Sequence, residues 1–373
     1  MVVSMHDVAK NLRGILPHAN IDARRLVLSA KNPSCVRLRA ILMSGIAPAT
    51  LVHEVFGFSV SAEQSGFALR QGSSFEAQLY ANGAARLIAS LQDAGLLGPS
   101  RVSVLNINNI PGLNSSDARI RRMAQRSAIK VTEQAIAARA AGRANAPNLI
   151  LQANLRLSLG TGGEEVILRP DVLYARGNDP VYRVGEAKSF SDLAHLTDEQ
   201  DVATAAAQAG VYTVGLEEVM RSAGVHHTIL TEAALIFRRP GSMNAVTTLQ
   251  SIDRDIATAR RMLAQRPRSL SDVVQILGPG KALDQAGNVL QLPSTFMGGC
   301  RSFCPLWQVC LNEARAASSP RALGTSVEEL VGAVGSVRRA RELMHGAPPG
   351  NPVEADIQRR LQEGMTELQR AVA

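Results

Sequence analysis

Four runs of strand length limit what this chain can fold into. Residues 148–159, 165–175 and 181–187 are rich in Val, Ile, Leu and Tyr and are separated by short polar turns, and residues 227–237 form a fourth run of the same kind. Between the third and fourth lies a helical stretch from 197 to about 222, opened by Thr197-Asp198-Glu199-Gln200 with capping-box spacing. Strands, a long helix and another strand bury their apolar faces together as a sheet with helices laid on it. The expected class is therefore α/β, a mixed central sheet flanked by helices, with helical extensions at both ends.

The rest of the chain reads mainly as helix. Residues 5 to about 65 are mostly helical, broken at Lys31-Asn32-Pro33-Ser34, where Ser34 is placed to cap a helix through Val36, Leu38, Ile41 and Leu42. A helix from Gly72 to near Gly95 carries Phe75, Leu79, Leu87 and Leu91. Residues 118–143 read as an Ala/Arg-rich helix pair in which Arg119, Arg122 and Arg126 share one face. A further helix is expected over 244–265, and the tail from about 318 is helical with a break at Gly346-Ala347-Pro348-Pro349-Gly350. Three parts follow: a helical N-terminal segment (1–65), a core ending in a cysteine cluster (66–315) and a helical tail (316–373).

Charge narrows the choice of partner. The 373 residues carry a formal net charge of +8, which favours a polyanion, while aromatic residues at 3% are too few for an extended base-stacking platform. No apolar run reaches the roughly 18 residues that a membrane span needs, and the N-terminus does not read as a signal peptide. The chain reads as cytoplasmic and its cysteines as reduced thiols. Gly278-Pro279-Gly280-Lys281-Ala282 lacks the first glycine and the hydroxyl of a nucleotide-binding loop, so any helicase motor belongs to another polypeptide. Gly160-Thr161-Gly162-Gly163 lies between strand runs and reads as a hairpin turn.

Residues with chemistry gather on the second and third runs. Pro170-Asp171 lies in one, Glu186-Ala187-Lys188 closes the other, and Gly177-Asn178-Asp179-Pro180 supplies the turn. This hairpin carries two carboxylates and an ammonium to one edge of a sheet. Two carboxylates can hold a hard divalent cation, and a lysine beside them can orient or deprotonate a water. Upstream, Phe75 anchors the helix and Glu76 offers a third carboxylate; downstream, Gln208 and Tyr212 share a helix face at i, i+4. Taken singly, each also reads as an ordinary strand-end charge, first-turn glutamate or surface polar residue.

In this order, Gly72-x-x-Phe75-Glu76, Pro170-Asp171, Glu186-x-Lys188 and Gln208-x-x-x-Tyr212 resemble the RecB-type branch of the PD-(D/E)xK nucleases, over roughly residues 70 to 215. The resemblance implies a restriction-endonuclease-like core. It also implies magnesium or manganese held by Glu76, Asp171, Glu186 and the backbone carbonyl of Ala187, with Lys188 helping to activate water and Gln208 and Tyr212 contacting DNA. Some relatives place a histidine before the first acid. Here the candidate region offers only His53, too far upstream to serve, which leaves the choice of cation open.

All four cysteines, Cys35, Cys300, Cys304 and Cys310, suit one soft-metal site, since four thiolates can take zinc or a [4Fe–4S] cube. One distant cysteine followed by Cys-x3-Cys-x5-Cys is unlike a zinc finger. It is similar to the iron–sulfur nucleases of the same branch, including the CRISPR-associated exonucleases, although their usual first spacing is two residues. That likeness implies a structural [4Fe–4S] cluster tying residue 35 to residues 300–310. His226 and His227 are adjacent on a strand and face opposite ways, so they are not expected to share an ion, and Arg338, Arg339, Arg341, Arg359 and Arg360 read as a solvated face.

The function expected is that of an iron–sulfur, metal-dependent DNA nuclease, exonucleolytic on single strands or ends, in DNA repair, recombination or antiviral defence. A separate helicase or defence-system subunit is a possible partner. The alternatives are a non-catalytic DNA-binding or scaffold subunit of a larger complex, and a nuclease directed at RNA.

Overall fold

A computed structural model describes residues 5–59, 66–99, 101–159, 165–177, 179–191, 199–225, 230–239, 242–323 and 325–372. The glycine turn at 160–163, Thr197-Asp198 and His226-His227 lie outside the described residues. Eight strands form among them: β1 Val104–Asn106, β2 Leu149–Leu151, β3 Leu155–Ser158, β4 Glu165–Leu168, β5 Val172–Tyr174, β6 Arg183–Ser191, β7 Glu232–Arg238 and β8 Ala245–Ser251. Six build one mixed sheet in the order β1-β2-β5-β6-β7-β8, while β3 and β4 form a small antiparallel sheet. With fifteen α-helices among the described residues, the chain is mixed α/β as expected.

Local chemistry divides the strand runs further than the apolar pattern indicates. Within 148–159, Gln152 takes a left-handed φ of 53°, which ends β2 and separates it from β3. Within 165–175, Arg169-Pro170-Asp171 interrupts the ladder, because proline has no N–H to give it. Residues 245–251, expected to begin a helix, are instead β8. Val246, Thr247 and Thr248 are β-branched and pair along β7, so the helix begins only at Asp253. Residues 118–143 give one helix, Ala118–Ala140, capped by Asp117, rather than a pair. Cys35, not Ser34, occupies the N-cap of the helix Val36–Met43.

Helices cover both faces of the large sheet. On one, the helix Gly66–Asp93, interrupted by non-helical backbone at Ala81–Ala84, buries Phe75, Leu79, Leu87 and Leu91 against Leu149, Val172, Ala187 and Ile236. On the other lies the helix Glu199–Ser222, the crossover between the parallel pair β6 and β7. It joins the helix Ala118–Ala140 and the N-terminal helices Met5–Arg13, Ala23–Lys31, Val36–Met43 and Pro48–Phe56 in one interior that reaches Leu311. The N-terminal segment and one face of the core thus share a hydrophobic cluster, while the tail has its own small cluster at Val331, Ala340 and Ile357. Among the described residues, no helix is long and apolar enough to cross a membrane.

Gly210 lets the crossover helix approach the helix Asp253–Ala264. A β-carbon at this position would lie 2.7 Å from Asp255 Cβ and 2.9 Å from the Asp255 backbone carbon. Backbone cannot rotate aside as a side chain can, so the clash outweighs the gain of roughly 1 kcal/mol in helix propensity from glycine to alanine. Gly210→Ala is expected to destabilise the protein by about 1–3 kcal/mol, read as a lower urea midpoint at unchanged slope.

Candidate active site

The register of β5 and β6 sets the centre of the site. Val172 pairs with Gly185 in an antiparallel ladder, so the next residues outward, Asp171 and Glu186, stand opposite each other. Lys188, two residues further along β6, returns to the same face as Glu186. β6 lies between β5 and β7, which places the acids in the middle of the sheet and not at its edge.

Asp171 is held from three directions. Its Oδ2 accepts from the Ala187 backbone N–H at 2.8 Å, and its Oδ1 accepts from Gln152 Nε2 at 3.1 Å. Its carbonyl accepts from the Gln152 N–H at 3.0 Å and from the Tyr80 hydroxyl at 3.4 Å, and Gln152 Nε2 also donates to that hydroxyl at 3.2 Å. Glu186 is 2% exposed, and its Oε1 accepts from Lys188 Nζ at 2.6 Å, whereas its buried Oε2 has no hydrogen-bond partner. Lys188 also donates to Gln208 Oε1 at 2.6 Å.

Gln208 is therefore buried behind Lys188 and positions it, in contrast to the DNA contact that the resemblance implies. Tyr212, one turn on, is half-buried and lines an open cleft of about 470 Å³ with His18, Asn20, Asp22, Gln125 and Arg169. Glu76 is exposed, on the helix that covers the opposite face of the sheet. Although the residue as a whole is exposed, the protein packed around its carboxyl and the charge of Asp171 push its pKa up to about 7.

Burial acts on the central pair as well. Burial pushes Glu186 up to about 8; Lys188 opposes this and Asp171 adds to it. Asp171 is raised by burial, against the pull of Lys188 and the Ala187 N–H. Burial alone would lower Lys188, but Glu186 and Asp171 outweigh it and hold it protonated. Two close carboxyls, one with an unpartnered buried oxygen, fit a hard divalent cation, and magnesium is commonly held by only one or two carboxylates plus water. Among the described residues, however, no group of three or more His, Cys, Asp or Glu side chains stands together as a metal site. Asp171, Glu186 and the Ala187 carbonyl are the candidate ligands at the sheet, and Glu76 is close enough to couple by charge to Asp171 and Lys188.

Sequence reasoning did not find Tyr80 or Gln152. Tyr80 lies one helical turn after Glu76, a spacing that could have drawn attention to it, whereas nothing in the sequence around Gln152 marks its left-handed backbone. Asp22 and Arg24, from the start of the helix Ala23–Lys31, also act on the site by charge, Arg24 on Lys188 and both on Tyr212.

All four cysteines are buried free thiols. Cys35 lies within electrostatic reach of Cys300, Cys304 and Cys310, so the fold gathers residues 265 or more positions apart in sequence, although not in the array of a metal site. N–H groups point at the sulfurs: Met297 N at 3.5 Å and Asn32 Nδ2 at 3.6 Å from Cys300, and Arg37 Nη1 at 3.3 Å from Cys310. Burial pushes the thiols of Cys300, Cys304 and Cys310 up, while these donors pull Cys300 and Cys310 the other way, as they would for thiolate ligands, and the donor set fits a soft metal or iron–sulfur cluster.

No known protein family matches the chain, and no curated protein does. A solved structure described as "Crystal structure of SSO0001" is similar at 12% identity over 52% of this chain and 95% of that chain. Its TM-score of 0.21 is too low to bear on fold or function.

Proposed function

We propose that this chain is a divalent-cation-dependent deoxyribonuclease of the RecB-type PD-(D/E)xK branch, with a restriction-endonuclease-like core and an iron–sulfur cluster on its four cysteines. The observation that carries the proposal is the apposition of Asp171 and Glu186 in the middle of the sheet, with Lys188 bonded to Glu186 and the second Glu186 oxygen buried without a partner.

Asp171, Glu186 and the Ala187 carbonyl would hold magnesium or manganese, which supplies Lewis acidity toward a phosphate oxygen and acidifies a bound water. The chain's own groups do the positioning. Gln152, Tyr80 and the Ala187 N–H fix Asp171. Glu186 and Gln208 fix Lys188, whose ammonium offers a donor and a positive charge to the attacking oxygen. Tyr212 and Arg169, which line the adjoining cleft, would take the strand, and the net charge of +8 would draw the polyanion in. The cysteine site joins the two ends of one hydrophobic interior, so metal-binding energy there becomes folding energy.

End-labelled single-stranded DNA, duplex DNA and matched RNA, incubated with anaerobically purified protein and magnesium, manganese or chelator, test the proposal. The expected result is cation-dependent shortening of single-stranded DNA from its ends. Faster loss of RNA would reassign the substrate, and binding without cleavage under every condition would identify a non-catalytic subunit.

A further inference from the structure

Arg37 lies two residues after Cys35, on the helix Val36–Met43, and is 1% exposed. All five N–H donors of its guanidinium are engaged. Nη1 donates to Glu313 Oε2 at 2.8 Å and to Cys310 Sγ at 3.3 Å, and Nη2 donates to Glu313 Oε1 and the Leu290 carbonyl, each at 3.1 Å. Nε donates to the Leu292 carbonyl at 3.1 Å. Arg39, two residues further on and also buried, differs in one respect: its hydrogen-bond partners among the described residues are the carbonyl oxygens of Leu159, Met262, Leu263 and Pro267. A neutral thiol is a weak acceptor, so a desolvated cation that directs one donor at sulfur is matched to a thiolate.

We infer that Arg37 is the positioning residue of the four-cysteine site: it presents Cys310 as a thiolate ligand and locks the helix that follows Cys35 onto the helix Trp307–Ala316. This rests on reading the four cysteines as a metal site. Glu313 orients the guanidinium, and Asn32 serves Cys300 on the other side through its 3.6 Å contact. Partners that orient metal ligands are worth roughly 10–100-fold in metal affinity.

The test uses full-length protein purified anaerobically, with iron, sulfide and zinc counted per chain and metal loss to a chelator followed by absorbance. Arg37→Gln and Glu313→Gln are expected to release metal roughly 10–100-fold faster than wild type. Arg37→Lys should be intermediate, because it keeps the charge but not the fork. Arg39→Gln is the matched control for general loosening, expected to lower the melting temperature while releasing metal at the wild-type rate. If Arg37→Gln does not fold, Glu313→Gln carries the test, since it leaves the guanidinium in place. Release at the wild-type rate from Glu313→Gln and Arg37→Lys, or equal release from the Arg37 and Arg39 variants, overturns the inference alone. A wild-type chain that binds neither iron nor zinc overturns the metal-site reading and the inference with it.

Discussion

Glu186→Gln is expected to lower DNA cleavage by about a thousandfold or more while leaving the metal-free protein at least as stable as wild type. The two effects part because Glu186 stands between opposing neighbours. Its Oε1 accepts from Lys188 at 2.6 Å, and a glutamine oxygen can accept the same bond. Its Oε2 is buried without a partner beside the raised carboxyl of Asp171. Burial pushes Glu186 up to about 8, so near neutral pH its carboxyl is already largely protonated in the metal-free protein, and a glutamine amide mimics that form with an N–H that Asp171 can accept. The lost carboxylate is a candidate cation ligand, so activity has no such compensation. Glu186→Ala should behave differently, because it removes one of the two hydrogen-bond partners of the buried Lys188 ammonium, at a cost of about 1–3 kcal/mol. Denaturation curves and cleavage rates of the two variants, measured side by side, check this pattern.

The second large effect is a reversal of pH dependence by the cation. Unfolded, Glu186 titrates near the ordinary glutamate value of about 4.3; folded, it titrates at about 8. Between these values the folded chain holds a proton that the unfolded chain has released, so stability falls as pH rises through this window. Glu76, at about 7, and the raised Asp171 act in the same direction. At about 1.4 kcal/mol per pKa unit, Glu186 alone makes this a contribution of several kcal/mol. Glu354 is held well below the usual carboxylate range by Arg339 and titrates beneath the window. In chelator the protein should therefore melt at a higher temperature at pH 5 than at pH 8. Manganese or magnesium takes over the role of the proton, so it should raise the melting temperature strongly at pH 8 and little at pH 5. Calorimetric scans at both pH values, with and without cation, read the difference. In Glu186→Gln the slope in chelator should be much shallower.

The parts of the site visible in the sequence are those set by short-range pattern. The β5–β6 hairpin follows from two apolar runs around a Gly-Asn-Asp-Pro turn, and its register alone brings Asp171 opposite Glu186. The i, i+4 spacing placed Gln208 and Tyr212 on one helix face but could not say that Gln208 would turn inward to Lys188 while Tyr212 lines a cleft, because that depends on how the helix lies on the sheet. Gln152 is invisible for a related reason: its left-handed backbone is imposed by the break between β2 and β3 and not by its own preference. Across residues 245–251 Val246 and Leu249 fall at i, i+3 as on a helix, and only pairing with β7 decides for a strand. The cysteine spacing pointed to a shared site, but the donors aimed at its sulfurs, Asn32 and Arg37, come from the N-terminal helices and only the folded chain brings them there.

The central claim is that Asp171, Glu186 and Lys188 form a cation-dependent nuclease site, and single-turnover digestion of end-labelled single-stranded DNA tests it most directly. Wild type and Glu186→Gln would be compared in manganese, in magnesium and after chelation, at matched fold stability. Wild type is expected to shorten the DNA only when a cation is present, and Glu186→Gln to leave it intact under all three conditions. Cleavage by Glu186→Gln at the wild-type rate, or by wild type after chelation, would contradict the claim.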